Sequence, residues 1–529
     1  MSAARHFCLI LHAHLPYVRH PEQEEMYEES WLVEALVESY VPLLGLLAAQ
    51  QADGVAASLT LSLSPTLLTM LGDPLLHART LIRLDRLDHL AAREAIRVGD
   101  DPLLAPLVTV YRQRVRAALD LLESGGAGGV IAAFARLRDQ GRIEIITSAA
   151  THGYLPLLRD EPRAVRAQLA VAQDFYRRVF DRPSPGLWLP ECGYYPGLEQ
   201  AVAEAGYGYV VLDSHGIAHG TPNPRYGVTA PVVCANGLAA FGRDPESSHR
   251  VWSRDEGYPA DVWYRDFHRD IGFDLDAAAL AGVLPKGGGR VPTGFKYHRI
   301  TGRGDRKDLY DLDRARERIA AHVAHFRADR GRALARAAAG GRENPEPVLV
   351  APFDAELFGH WWFEGPAWLD GVMRGMAADG VALSTPTAYL AANPVLQNVQ
   401  PAASSWGEGG YNEYWLNADT DGLVRDLGVA ARRMVDLARR FKAEAPGSLR
   451  HRALQQAARS LLLAQASDWP FLVHAGSAGD YPARRVRDHL ARFHHLDRAL
   501  DTGTIEPRIL AALEFMDDIF PGIDPSLYA

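Results

Sequence analysis

Short apolar runs recur along the chain, and each gives way to a polar residue able to do chemistry. Phe7 to Leu11 ends at His12, and residues 55–63 (VAASLTLSL) alternate before Pro65. Ile143 to Thr147 precedes His152, Gly186 to Leu189 precedes Glu191, Tyr209 to Leu212 precedes Asp213, and Val348 to Ala351 precedes Asp354. Brief runs of this kind, separated by helical patterns, predict buried parallel strands in βα units. In a parallel α/β barrel the C-terminal strand ends and their loops build the active site. Several strands therefore deliver His, Glu and Asp to one rim, which makes a barrel enzyme the leading expectation.

The pattern changes in three places. Residues 74–139 are rich in Leu, Ala, Arg and Asp at helical spacing, which predicts a helical insertion between two barrel strands. Residues 213–262 are Gly- and Pro-rich with scattered aromatics, which predicts a long irregular segment, either a functional loop at the active site or a disordered one. Beyond about residue 400 a loop-like SSWGEGGYNEYWLN gives way to helical spacing through 421–499. The expected organisation is a catalytic domain over 1–73 and 140–400, an insertion over 74–139 and a helical domain over 401–529. No internal repeat is evident. The Gly-rich stretch 287–304 lacks P-loop spacing and is weak evidence for a nucleotide.

A chain of 529 residues exceeds one ordinary domain, in keeping with two or three units. Hydrophobic residues at 47% and charged residues at 23% are an ordinary globular balance, so disorder is not expected. A formal charge of -9 argues against a nucleic-acid binder. Cys8, Cys192 and Cys234 form no CxxC pair and no disulfide framework, which fits a reducing compartment. The N-terminus lacks a signal peptide's long apolar region, and no stretch is expected to approach a transmembrane helix in length. The expectation is a soluble, cytoplasmic monomer.

Four stretches can carry chemistry. In HAHLPYVRHPE (12–22), His12 and His14 face one side of a strand. Two such imidazoles could hold a metal with His152, Asp213 or Asp354, or could line a polar pocket. The absence of a Cys cluster or HExxH favours the pocket. In WLPECGYYPGLE (188–199), Glu191 follows a strand among Trp188, Tyr194 and Tyr195. Aromatic faces stack on pyranose rings, and a carboxylate there can attack or stabilise the anomeric carbon; an acid in the first turn of a helix is the plainer reading, and Glu199 suits it better. In APFDAELFGHWWFEGPAWL (351–369), Asp354, Glu356 and His360 are interleaved with Trp361, Trp362 and Phe363, as in a carbohydrate cleft. In SSWGEGGYNEYWLN (404–417), Trp406 and Trp415 serve equally as sugar platforms or as a domain-interface plug. Two carboxylates on separate strand ends are what glycoside chemistry needs; a retaining site holds them about 5–5.5 Å apart and an inverting one wider.

Together these stretches resemble glycoside hydrolase family 57, whose five regions occur in order as HAHLP (12–16), THGYLP (151–156), WLPECGY (188–194), APFDAELFGHWWFEG (351–365) and SSWGEGGYNEYW (404–415). Within it the chain looks most like the subgroup that branches 1,4-α-glucans, also through PRYGVTAP and FGRDPESSHRVWSRDEGYPAD. The resemblance implies a (β/α)7 barrel, an incomplete TIM-like barrel, with a helical insertion and a C-terminal α-helical domain. It implies retaining chemistry without metal or cofactor, Glu191 as nucleophile and Asp354 as general acid/base. It places His12, His14 and His152 in the pocket and Trp31, Trp263, Trp406 and Trp415 on substrate, with Tyr226 on a mobile loop guarding the acceptor site; Trp362, from the aromatic run after Asp354, is expected on substrate as well. The implied activity cleaves α-1,4 bonds and forms α-1,6 branches, with amylose or glycogen as donor and acceptor, in glycogen biosynthesis. A same-fold α-amylase or 4-α-glucanotransferase, a metal-dependent hydrolase using His12, His14 and an Asp, and a noncatalytic glycan binder are the alternatives.

Overall fold

The computed structural model describes residues 5–253, 256–285, 289–302, 304, 306–339 and 345–529. Positions 254 and 255 of the expected loop, and 287, 288 and 303 of the Gly-rich stretch, lie outside the described residues. Nine strands form one sheet: β1 (His6–Ala13), β2 (Leu59–Leu63), β3 (Ile143–Ser148), β4 (Gly186–Trp188), β5 (Tyr209–Leu212), β6 (Val232–Val233), β7 (Ala239–Gly242), β8 (Val348–Asp354) and β9 (Ala382–Leu383). The order is β6-β7-β5-β4-β3-β2-β1-β8, with β9 paired to the start of β1. Seven strands from β8 to β7 run parallel, and β6 adds antiparallel to β7. Between the two ends of this curved sheet, the Asp244 amide just beyond β7 donates to the Val350 carbonyl on β8 at 2.8 Å. This is an incomplete (β/α)7 barrel.

The alternation along β1 shows how the barrel fills. Cys8 and Ile10 join Ile146, Trp188, Val211, Phe241 and Val350 in one buried interior cluster. Phe7, Leu9 and Leu11 point outward into the larger core shared with the helices. Buried on both faces, such strands read as continuous apolar runs. The interior parity carries on to His12 at the C-terminal rim, where the register pairs His12 with Asp354 on β8 and with Ser62 on β2.

Between β2 and β3, the short helix Pro65–Gly72 is followed by three more over residues 74–139: Pro74–Val98, Leu104–Gly125 and Gly129–Asp139. Asp73 caps the helix Pro74–Val98, its side chain accepting from the Leu76 amide. Five helices, Asp421–Arg440, Leu449–Ala464, Asp468–His474, Tyr481–Thr502 and Pro507–Met516, build the C-terminal part. Residues 213–262 differ from the expected irregular loop: they contain β6, β7 and the helices Ser214–Ala218 and Pro245–Trp252. The AAFG of β7 has no β-branched residue, so its sequence gives little strand signal.

One expectation needs correction. A continuous helical stretch, Tyr27–Ala52, contains an 18-residue window apolar enough to cross a membrane by length and composition. Most of it is buried, as befits a core helix, and its apolar run is broken in sequence by Glu34 and Glu38. Its middle turn, Leu36–Tyr40, is π-helical. From that turn Glu38 accepts from His360 at 2.6 Å, and the Tyr40 hydroxyl donates to Glu356. A π turn adds a residue to the helix and re-aims side chains, often at functional sites. The loop after β8 fits closely here: Gly359 has φ 117°, and a Cβ on it would stand 1.7 Å from the Glu38 carbonyl oxygen.

Candidate active site

A cavity of about 1110 Å³ opens at the C-terminal rim. Its wall includes His12, His14, Trp31, His152, Glu191, Asp354, Trp406 and Trp415. Strand ends bring the first set together. His12 continues β1 and stacks on Trp188 at 4.6 Å between centroids. Asp354 is the last residue of β8. Glu191 follows β4 in a tight turn with left-handed backbone (φ 59°, ψ 22°), and His152 and Cys192 are also left-handed at φ 56° and 52°. Such conformations cost about 1–3 kcal/mol in a non-glycine residue and cluster at functional sites.

Glu191 is held from both sides. The Trp406 indole N–H donates to Oε2 at 2.8 Å, and the Ser467 hydroxyl donates to Oε1 at 2.9 Å. Behind Ser467 lies a chain of hydrogen bonds whose direction an ionised Glu191 dictates. Ser467 spends its proton on the carboxylate, so it accepts from His152 Nδ1 at 2.7 Å. His152 Nε2 then accepts from His12 Nε2 at 2.9 Å, and His12 Nδ1 accepts from the Ser62 hydroxyl at 3.0 Å. Both imidazoles must be neutral for this, and burial, with the neighbouring histidines, lowers both well below the ordinary histidine range. His14 differs. Burial works to lower it, but its contact with Asp468 at 3.0 Å, helped by Glu356 and Glu191, holds it above the ordinary value.

Both carboxyls are raised, but against different neighbours. Burial raises Glu191 to about 7, against the donors Trp406 and Ser467 and the charge on His14. Burial, with the charges of Glu356 and Glu191, pushes Asp354 well above the usual carboxylate range, while Arg243 offsets part of this. Near neutral pH one carboxyl can thus be ionised while the other keeps its proton. Arg243 is itself anchored at 3.0 Å by Asp213, the residue after β5.

The aromatic positions divide. Trp31 stands edge-on to Tyr481 at 5.9 Å, whereas Trp415, stacked on Tyr154 at 4.5 Å, is only 1% exposed and serves as a packed plug in the cavity wall more than as an open sugar platform. Trp362 does not reach the cavity: it is 2% exposed and packs among Tyr264, Phe358 and Trp368. Its neighbour Trp361, 56% exposed, lines the cleft in its place. The short 3-10 turn Ala355–Leu357 after β8 ties down both residues, its Glu356 carbonyl accepting from the Trp361 amide at 3.2 Å and its Leu357 carbonyl from the Trp362 amide at 2.8 Å. Trp263 lies under the Arg299 guanidinium, 4.6 Å from its ring centre, and is not part of the cavity wall. Tyr226, half-buried at the start of the turn Gly227–Thr229, is also off the wall in this conformation.

Ser467 and Asp468, which sequence reasoning missed, come from the helical part. They begin the helix Asp468–His474, and the Ser467 amide donates to the His152 carbonyl at 2.9 Å. His14, His152 and Asp468 each offer a ligand atom within 4.8 Å of the others, the arrangement of a possible metal site. In the hydrogen-bond network Asp468 engages His14 Nε2, and His12 and Ser467 engage His152.

The profile of glycosyl hydrolase family 57 matches residues 8–273, and that of the 1,4-alpha-glucan branching enzyme C-terminal region matches residues 426–528. A 1,4-alpha-glucan branching enzyme of Thermococcus kodakarensis is 33% identical, the alignment covering 97% of this chain and 76% of that protein. Among solved structures, the alpha-amylase AmyC of Thermotoga maritima superposes with TM-score 0.92 at 36% identity, covering 99% of each chain. The family 57-type branching enzyme of Pyrococcus horikoshii superposes with TM-score 0.87 at 32% identity, covering 99% of this chain and 96% of that one.

Proposed function

The chain belongs to glycosyl hydrolase family 57, and from that premise we propose that it is a retaining 1,4-α-glucan branching enzyme. The observation that carries the reading is the pair of strand-end carboxyls on one cavity, Glu191 held by donors and Asp354 held protonated. Glu191 attacks the anomeric carbon of an internal α-1,4 bond. As the C1–O4 bond breaks, the Asp354 proton passes to O4 of the leaving chain, and the donor remains as an ester on Glu191. Asp354, now ionised, takes the proton from the 6-hydroxyl of an acceptor glucan. O6 attacks C1, the ester bond breaks, and an α-1,6 branch is formed with retention. Asp354 regains its proton and Glu191 its charge, so the cycle closes without an external acid.

The likeness to the T. maritima alpha-amylase supports a second reading, in which water replaces the acceptor. Both readings share the first half-reaction and part only at the second. The C-terminal match to branching enzymes, over the region that includes Ser467 and Asp468, favours transfer. Incubation with amylose, followed by proton NMR and isoamylase debranching, tests the choice. New α-1,6 signals that isoamylase removes, absent in Glu191→Gln, support branching. Reducing ends without new branches make the protein a hydrolase.

A further inference from the structure

A branching reaction brings two glucans in turn to one acid/base. The donor is held as an ester on Glu191, while the acceptor presents a 6-hydroxyl from the middle of its own chain. A second groove that reaches Asp354 without running through Glu191 would let that chain approach with the donor still in place. The structure contains one. Beside the first cavity lies another of about 1580 Å³ whose wall includes Asp354 but not Glu191. The two share Trp252, Phe267, His268, Trp361 and Phe471, so the cleft forks at the general acid/base.

The dividing ridge is aromatic and exposed: Trp252 is 39%, Trp361 56% and Phe471 38% exposed. A large apolar ring facing water costs free energy unless something covers it. Trp361 is also held in place, stacked on Phe267 at 4.6 Å and 20° and edge-on to His360 at 5.3 Å. A fixed ring with a free face suits the apolar face of a pyranose, and little rotamer freedom is lost on binding. The wall of the second cavity also includes Lys307 and Asp266, paired with each other.

Resting on the branching reading, we infer that this second groove is the acceptor arm of the cleft, with Trp361 as its platform. The glucan that receives the branch lies along it and brings its 6-hydroxyl to Asp354, while the donor fills the arm containing Trp31 and Trp406.

The test uses the full chain with a maltooligosaccharyl fluoride as donor and a labelled maltodecaose as acceptor. Fluoride release reports the first half-reaction and labelled product reports transfer. In Trp361→Ala the acceptor KM rises about tenfold, and the ratio of transfer to hydrolysis at fixed acceptor falls by a similar factor. Trp361→Phe, which keeps a flat ring, recovers most of the ratio. An unchanged ratio, with fluoride release and transfer falling together, would place Trp361 on the donor and overturn the proposal. The linkage in the wild-type product separates this from the reading beneath it. A purely α-1,4 product with a Trp361-dependent acceptor KM would refute branching and leave the acceptor arm standing.

Discussion

Replacing Trp406 with Phe should move the acidic limb of the pH–rate profile. The indole N–H donates to Glu191 Oε2 at 2.8 Å and is one of the groups that favour its charged form. Phenylalanine keeps an aromatic face on the cleft and deletes the donor. A hydrogen bond to a charged group is worth about 1.5–3 kcal/mol, and 1.36 kcal/mol corresponds to one pKa unit. Loss of the bond destabilises the carboxylate, so Glu191 rises from about 7 to about 8–9. The ionised fraction at pH 7 falls from about one half to between a tenth and a hundredth, and kcat/KM there falls about fivefold to fiftyfold. Above pH 9 much of that loss is recovered, as far as the alkaline limb set by Asp354 allows. The assay is kcat/KM for a soluble maltooligosaccharide from pH 5 to 10, with Ser467→Ala as companion. That second shift should be smaller, because His152 Nδ1, 3.8 Å from Oε1, can close on the vacated position. A loss equal at every pH, with the acidic limb unmoved, would refute the assignment of Trp406 as an electrostatic support of Glu191.

Other consequences are as direct. Glu191 sits at about 7 against 4.5 for an ordinary glutamate, so its ionisation costs the fold stability as pH rises between those values. Glu191→Gln should therefore be the more stable protein at pH 8, by up to about 3 kcal/mol, and indistinguishable from wild type at pH 4, as thermal melts at both pH values would show. Asp354→Asn should lose about 10²–10⁴ in rate on maltooligosaccharides, yet still release fluoride from a maltooligosaccharyl fluoride, whose leaving group needs no proton. Equal loss on both donors would remove Asp354 from the acid role. Dialysis against a chelator should leave activity unchanged, because His14 and His152 are used as hydrogen-bonding groups; a loss restored by a divalent cation would return them to metal ligation.

The residues legible in the sequence are those placed by strand parity. His12, Glu191 and Asp354 follow apolar runs, and a parallel barrel turns every such run toward the same rim. What was not legible depends on contacts between distant segments. Ser467 and Asp468 stand 315 and 454 positions from the histidines they touch, in a helical region whose spacing reports only its own core. The choice between Trp361 and Trp362 rests on packing against Tyr264 and Trp368, which the local sequence does not report. The strand β7 was hidden by its small residues, and the apolar stretch of Tyr27–Ala52 by the acids that punctuate it. Trp263 and Tyr226 entered through family resemblance alone, and both sit on loops that this fold holds away from the cavity wall.

The account rests on a covalent intermediate at Glu191, and trapping it is the most direct measurement. The protein would be incubated with a fluorinated maltooligosaccharyl fluoride that slows the second half-reaction, digested, and mapped by peptide mass spectrometry. The prediction is a single glycosyl ester on the peptide carrying Glu191, more abundant in Asp354→Asn and absent in Glu191→Gln. An ester on another carboxylate, or steady turnover of the substrate by Glu191→Gln, would contradict it.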